Sequence, residues 1–313
     1  MPAASGPGTN SARDSRPSTV AEPPVRPRPT LADRLASRWV LAGGERVNPE
    51  RTPWLEGSEG QSAGSGQSFL EEIARRSGLI VHRNKARGIL PDFRHLAGPG
   101  FDPYLVQPNV IDVFDHTAGY HLEARPEWVG VARLFSSAIA GLLGHRLRGP
   151  GGSHGSAASR LATTEIAQLV DARTGELRHS ALAREFPGGR KIYHGSYSLG
   201  RVPSQGAPCL RVVLSRSTGR TILILKPIVG SDGSLTLSSA GEESGDPGVY
   251  LTARDGQDAL HVRYLGALCL TVRLASDGTG VRGELVIAIR HTVILRVLCR
   301  LRPGERPSAP IRP

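Results

Sequence analysis

Cysteine is scarce in this chain, with three residues among 313. Cys209, Cys269 and Cys299 are widely separated, and each lies in or beside a predicted strand. An odd, scattered set predicts no disulfide framework, so we interpret these residues as small buried or half-buried side chains in a reducing compartment. The chain also lacks CxxC and HExxH spacings. The sequence therefore predicts no metal site.

Long apolar runs are missing as well. No uninterrupted run approaches the roughly 20 residues that cross a bilayer, and the N-terminus lacks the apolar core of a signal peptide. We therefore expect no membrane span and a cytoplasmic location. Neither a GK[ST] phosphate loop nor a GxSxG nucleophile turn occurs in the chain. The sequence predicts no cofactor.

Lysine is rare, so the net charge of +11 depends on arginine. Residues 151–313 carry 21 basic against 13 acidic side chains, whereas the first half of the chain is nearly balanced. These arginines are spaced singly along predicted strands, and no aromatic residues alternate with them to stack bases. The pattern argues against nucleic-acid binding and favours a solvated, arginine-rich face.

Three segments have the composition of chain that does not fold. Residues 1–29 are dominated by Ala, Ser, Pro, Arg and Gly without apolar periodicity, which predicts a disordered tail. Gly and Ser dominate residues 57–67, which predicts a linker. We expect a second disordered tail over 303–313. The remaining chain from 68 to 302 is then a single α+β domain.

Residues 30–67 are expected to hold one short helix ahead of that linker. Thr30 is a suitable cap, and the helix should extend to about Leu41. Three large apolar residues share one face of it, at positions Leu31, Leu35 and Trp39. Such a stripe predicts docking, either on this chain's own domain or on a partner protein.

The first part of the domain, residues 68–148, is expected to be helical. Ser68 and Glu71 fit a capping box, and the helix they begin should end at Gly78. A second helix is predicted from about Asn109 to Tyr120. A longer one is predicted over 129–147 and would lie against the sheet as a plug or lid.

Beyond residue 160 the apolar period changes from helical to two, which predicts a β meander over 160–302. Gly-containing pairs between the runs supply the positive φ of tight hairpins, so consecutive strands should pair antiparallel. The sequence predicts an α+β fold class, in which short N-terminal helices precede a large curved antiparallel β-sheet or barrel-like meander wrapped on a helix. The nine predicted runs cover 192–200, 210–216, 221–227, 234–239, 249–254, 260–266, 268–274, 284–290 and 293–301.

Two stretches carry a family resemblance. "DFRHLAGPGFDPYLVQPNVIDVFDHTAGYHLEARPEW" and the strands from "LRVVLSRSTGRTILILKP" to "HTVILRVLCRL" resemble a group of hypothetical proteins from high-GC actinobacteria. That group has a GPGFDP element, an aromatic-x-His-Thr segment followed by Tyr and Trp, and a C-terminal β meander. The resemblance implies the fold and carries over no catalytic residue. The plan is also similar to lipocalin-like and START-like ligand-binding folds.

One polar stretch offers an acid–base site. If 109–120 is helical, His116 and Tyr120 lie on one face, with Asp112 one turn earlier. A histidine flanked by a carboxylate and a phenol can act as a general acid or base, so we consider His116 with Asp112 or Asp115 as a catalytic pair and Tyr120 as a ligand contact. The alternative is structural, in which the apolar side buries the helix and the polar groups satisfy caps and loops.

Our first functional hypothesis is a hydrophobic small molecule bound in a cavity of the sheet. Tyr193, Tyr197, Lys226 and Tyr264 are the groups expected to orient it; the alternative is a solid core. A second hypothesis is an enzyme that uses His116, and a third is a protein interaction module with a basic surface and an unidentified partner. A cavity beside His116 would favour the enzyme, and a solid core with a flat arginine face would favour the module.

Overall fold

The computed structural model describes residues 31–55, 74–75, 78–83, 88–130, 163–186, 190–216 and 218–304. Within these ranges the fold class is α+β, as predicted, with two helices, α1 (Leu31–Gly43) and α2 (Pro108–Asp115). Neither helix is long and apolar enough to cross a membrane. The strands are β1 (Glu45–Val47), β2 (Leu79–Arg83), β3 (Tyr120–Trp128), β4 (Thr163–Asp171), β5 (Leu177–Phe186), β6 (Arg190–Arg201), β7 (Pro208–Arg216), β8 (Gly219–Val229), β9 (Leu235–Ser238), β10 (Gly248–Arg254), β11 (Leu260–Tyr264), β12 (Leu268–Ser276), β13 (Val281–Ile289) and β14 (Thr292–Pro303).

All of these strands belong to one antiparallel sheet, and the nine predicted runs are confirmed as β6 to β14. The hydrogen-bonded path runs β2-β4-β5-β6-β7-β8-β9-β12-β13-β14-β3. It forks at β8, where Arg220–Ile224 pairs with β10 and Lys226–Val229 pairs with β9. The branch continues through β10 and β11 to β1. The described strands do not close into a barrel, so the sheet is an open, curved meander.

The hairpin turns follow the predicted chemistry at two positions. Gly233 and Gly278 have φ of 75° and 88°, in the region where a side chain would be strained. Between β10 and β11 the left-handed residue is Asp258 instead of Gly256, with φ of 63°. The carboxylate of Asp255 accepts two backbone N–H groups of that loop, which stabilises the turn without a glycine at the left-handed position.

Two strands lie inside the part that we expected to be helical. β2 follows directly after residue 78, and β3 begins at Tyr120, so the helix predicted from Asn109 to Tyr120 is shorter than expected and ends at Asp115. β3 pairs along its whole length with β14, which leaves no edge of β14 unpaired there. The predicted helix over 129–147 lies outside the described residues from 131 onward, as does most of the one over 68–78.

The connector that contains α2 fills the space beside the strands. Phe93 is fully buried, with ring centroids 6.1 Å from Phe101 and 5.1 Å from Phe114. Gly88 approaches so closely that a Cβ there would overlap the carbonyl oxygen of Phe114. These residues form one apolar cluster with strands on both sides of the fork, including Val212 of β7. We call the face of each strand that joins this cluster the inner face, and the opposite one the outer face.

α1 packs on β10 and β11 through its small residues. Ala36 and Val40 are buried, and Val40 contacts Leu251 and Ala253 of β10. Small side chains allow the helix axis to approach the sheet closely, which explains why this face docks. The predicted apolar stripe is present on α1, but it points to solvent, with Leu31 74% exposed.

Candidate functional site

The structure brings three of the predicted site residues together at the end of α2. Nδ1 of His116 lies 2.8 Å from Oδ1 of Asp112. The hydroxyl of Tyr120 donates to the other oxygen, Oδ2, at 2.6 Å. The backbone N–H of His116 donates to the carbonyl of Asp112 at 2.8 Å and closes the helix. One carboxylate therefore bridges an imidazole and a phenol.

The second predicted carboxylate, that of Asp115, contacts the connector instead of His116. Oδ1 of Asp115 accepts the backbone N–H of Phe93 at 2.7 Å and so holds the connector against α2. Burial raises the pKa of Asp115, and the hydrogen bond from Phe93 opposes that rise. We conclude that Asp112, and not Asp115, is the partner of His116.

The Asp112 cluster suits two roles. Its carboxylate can fix Nδ1 of His116 as the protonated nitrogen and direct Nε2 outward, which is the geometry of a general base. The imidazole is more than half exposed, whereas Tyr120 is buried. A buried phenol, a carboxylate and an imidazole that satisfy one another also form a stable helix end. The geometry alone is compatible with both the catalytic role and the structural role.

The four residues predicted to orient a ligand are not gathered in one place. Tyr197 lies directly opposite Val212, on the inner face. Lys226 lies on the outer face, since it follows inner-facing Leu225, and its ammonium donates to Gln205 at 3.1 Å. Tyr264 is also on the outer face. Tyr193 lies in β6, and its side chain is outside the described part of the structure.

Tyr264 belongs to an aromatic cluster of the outer face. Its ring centroid lies 5.0 Å from that of Tyr250, whose hydroxyl donates to the carbonyl of Asp246 at 2.5 Å. Burial raises the pKa of Tyr264. A side chain at Gly248 would overlap the Tyr264 ring, so the backbone is in contact with the ring face. The rings pack as in a core, although the buried Tyr264 hydroxyl has no hydrogen-bond partner within the described structure.

A row of directly opposed residues crosses the inner face, and sequence reasoning missed most of it. Residues opposite one another in neighbouring strands share a face. In order from β2 to β10, the row is His82, Gln168, Ser180, Tyr197, Val212, Leu223 and Val249. Its members are polar on one half and apolar on the other. The polar half nevertheless includes two buried residues, Gln168 and Ser180.

The hydroxyl of Ser180 is unsatisfied. Ser180 is 1% exposed, and its Oγ has no hydrogen-bond partner within the described structure. A buried polar group without a partner costs about 1–3 kcal/mol. Ser198, on the outer face of the next strand, is a useful contrast because its Oγ accepts from Nε of Arg211 at 2.9 Å. Ser180 therefore has a buried hydroxyl that is still able to form a hydrogen bond.

The row is not sealed at its β2 end. His82 is exposed, and Ile80, on the same face of β2, is 48% exposed. Val170 lies opposite Ile80 and is half-buried, and so is Tyr197 on the far side of Ser180. The buried hydroxyl is thus bracketed by apolar surface that remains partly open to solvent.

A signal for this site was present in the sequence. In "EIAQLVD" and "LRHSALAREF", Gln168 and Ser180 stand in phase with Ile166 and Leu182, which face the core. A polar residue at an inward position is unusual and marks a functional or strained site. The predicted runs began at residue 192, so these two strands were not resolved one by one.

Comparison with protein-family models, with curated proteins and with solved structures gives no match for this chain. In the described part of the chain, His, Cys, Asp and Glu side chains do not gather in groups of three or more that could hold a metal ion.

Proposed function

We propose that this chain binds a small apolar molecule with one hydrogen-bonding head group on the inner face of β4, β5 and β6. The observation that carries the proposal is the unsatisfied hydroxyl of Ser180. Because a serine hydroxyl can donate one hydrogen bond, a carbonyl or carboxylate oxygen of the ligand would satisfy it. The apolar body of the ligand would lie against Ile80, Val170 and Tyr197.

The free-energy cost of an unsatisfied hydroxyl supports a ligand head group at this position. Evolution can replace a serine by alanine with a single change, and that change would remove the cost of an unsatisfied hydroxyl. A binding surface that is mainly apolar with a few placed polar groups is the usual design of small-molecule sites. The analogy with lipocalin-like and START-like folds is limited to the curved antiparallel sheet, since the described strands do not close into the barrel of a lipocalin.

A cytoplasmic location belongs to the same proposal. All three cysteines lie in described strands, and no disulfide joins them. Burial raises the pKa of Cys209 to about 12, which keeps this thiol protonated and unreactive. Reduced cysteines, one of them buried and two half-buried, support a reducing compartment. The resemblance to an actinobacterial group is compatible with this location.

The test is a fluorescence titration with parinaric acid, a fluorescent fatty acid with a carboxylate head. We expect Ser180→Ala to weaken probe binding about two- to tenfold, which corresponds to one hydrogen bond. The same change should leave the stability of the free chain unchanged or raise it. The matched control is Ser198→Ala, which should lower stability by about 1 kcal/mol, since Arg211 loses an acceptor, and leave probe affinity unchanged.

Two binding results would overturn the proposal, and so would one stability result. One is the absence of probe binding to the unmodified chain. The other is equal probe affinity in the unmodified chain and in Ser180→Ala. A loss of stability in Ser180→Ala as large as that in Ser198→Ala would show that the hydroxyl serves the fold instead of a ligand.

A further inference from the structure

α1 is held firmly by the face that meets the sheet. Ser37 donates to the carbonyl of Thr218 at 3.1 Å, across the short turn between β7 and β8. Two residues further along the helix, Nη1 of Arg263 donates to the carbonyl of Trp39 at 2.9 Å. Ala36 and Val40, which flank these two contacts, are buried, so the opposite face is presented in one fixed orientation.

That opposite face is apolar, and the described residues leave it uncovered. Leu31, Leu35 and Trp39 are spaced four residues apart, and they are 74%, 57% and 43% exposed. At 1.5 Å of rise per residue the stripe is about 12 Å long. Leaving three large apolar side chains in water on one helix face is costly, which marks an interaction surface.

The charge around the stripe is positive. Arg34 and Arg38 are exposed and lie along one side of it. On the other side the guanidinium of Arg263 lies 3.7 Å from the centre of the Trp39 ring. The single acid of the helix, Asp33, is buried against the sheet and adds no exposed negative charge. An apolar stripe flanked by arginines fits an anionic surface with an apolar layer beneath it.

We propose that the outer face of α1 docks on an anionic lipid surface. The three apolar side chains would enter the boundary between head groups and acyl chains, and the arginines would contact lipid phosphates. Each arginine near such a surface strengthens binding roughly fivefold. This inference is independent of the ligand site at Ser180, since it depends on a different element of the fold.

Charge and size argue against the other occupants. A second copy would bring two arginine-flanked stripes together, and like charges would oppose that contact. A specific protein interface needs about 800 Å² from each partner. A helix of 13 residues that shows one face, about 20 Å long and about 10 Å wide, falls well short of that area. A lipid surface sets no such minimum.

The experiment is a flotation assay of the full chain with vesicles of phosphatidylcholine and phosphatidylglycerol, compared with vesicles of phosphatidylcholine alone. We expect binding to the anionic vesicles only, and weaker binding at high salt. The double variant Leu31→Ser/Leu35→Ser should reduce the bound fraction at least tenfold. Arg34→Gln/Arg38→Gln should reduce it by a similar factor.

The matched control is Leu298→Ser, which removes a leucine that is 48% exposed from the outer face of β14 and should float like the unmodified chain. Thermal midpoints of all variants should stay unchanged, because each altered side chain is exposed. Failure to bind anionic vesicles would overturn the proposal, and so would binding that survives Leu31→Ser/Leu35→Ser. A dimer in sedimentation that this double variant abolishes would also overturn it and show a second copy as the occupant.

Discussion

Nδ1 of His116 lies 2.8 Å from Oδ1 of Asp112, one helical turn before it in α2. The other carboxylate oxygen accepts the hydroxyl of buried Tyr120. The three side chains therefore join the last turn of α2 to the first residue of β3. A cluster that connects two elements in this way should contribute to stability, whether or not it takes part in any reaction.

Tyr120→Phe tests that contribution. The substitution keeps the ring and removes the donor to Asp112, so we expect the free energy of unfolding to fall by about 1–3 kcal/mol. His116→Gln should have a smaller effect of the same sign, because the imidazole is mostly exposed. Urea denaturation of both variants measures this. Unchanged midpoints together with lost turnover or ligand binding would instead support the catalytic hypothesis for His116.

The lowered pKa of His179 predicts how the stability of the chain depends on pH. Burial, and then the positive charges of Arg211, Arg178 and Arg220, lower its pKa from 6.5 to about 4. Between these values the unfolded chain binds a proton that the folded chain does not. The stabilisation from neutral His179 is therefore fully present above pH 6.5 and is lost as the pH falls towards 4.

The expected loss is about 3 kcal/mol across that window. Denaturation midpoints of the unmodified chain and of His179→Leu, measured at several pH values, check it. The difference between the two chains isolates His179 from carboxylates that titrate lower, such as Asp171. Parallel pH profiles for the two chains would show that the histidine is solvated and that the prediction is wrong.

The buried charge of Arg216 makes the stability of the chain depend on Asp33 in α1. Its guanidinium is buried, and in the described structure Nε and Nη1 have no hydrogen-bond partner. Burial lowers the pKa of Arg216, whereas the carboxylate of Asp33 raises it. Asp33→Ala should therefore destabilise the chain by about 3 kcal/mol, because it leaves an uncompensated charge in the interior.

A second substitution makes this prediction specific. Arg216→Met, added to Asp33→Ala, removes the buried charge and should recover most of the lost stability. Additive losses in the double variant would contradict the charge argument.

A chain that starts at residue 30 keeps Asp33 and should unfold at the unmodified midpoint, as we expect from the composition of residues 1–29.

Local patterns predicted most of the sheet. β6 to β14 follow from alternation and turn residues, which act between neighbours in the chain. The pairings of β3 with β14 and of β9 with β12 join segments that are not consecutive in sequence, which such patterns do not encode. β3 could still have been recognised, since Tyr120, Leu122 and Trp128 alternate with charged residues.

The candidate sites show the same difference between contacts that are close in sequence and contacts that are far apart in sequence. The spacing of Asp112 and His116 predicted their contact because they lie one helical turn apart, whereas Tyr120 reaches Asp112 from the start of β3, after α2 has ended. Ser180 and Tyr197 are neighbours only through strand register, and an unsatisfied hydroxyl is a property of three-dimensional packing. The apolar stripe of α1 was visible in the sequence, but which face docks depends on how closely Ala36 and Val40 fit the sheet.

Native mass spectrometry of the purified chain tests the central claim most directly, because it detects a retained ligand without choosing one in advance. We predict an adduct of a small molecule on the unmodified chain and on Ser198→Ala, and its loss or marked reduction on Ser180→Ala. Extraction into organic solvent should recover the molecule, since its body is apolar. A bare chain in every sample, or an adduct equally abundant on Ser180→Ala, would contradict the account.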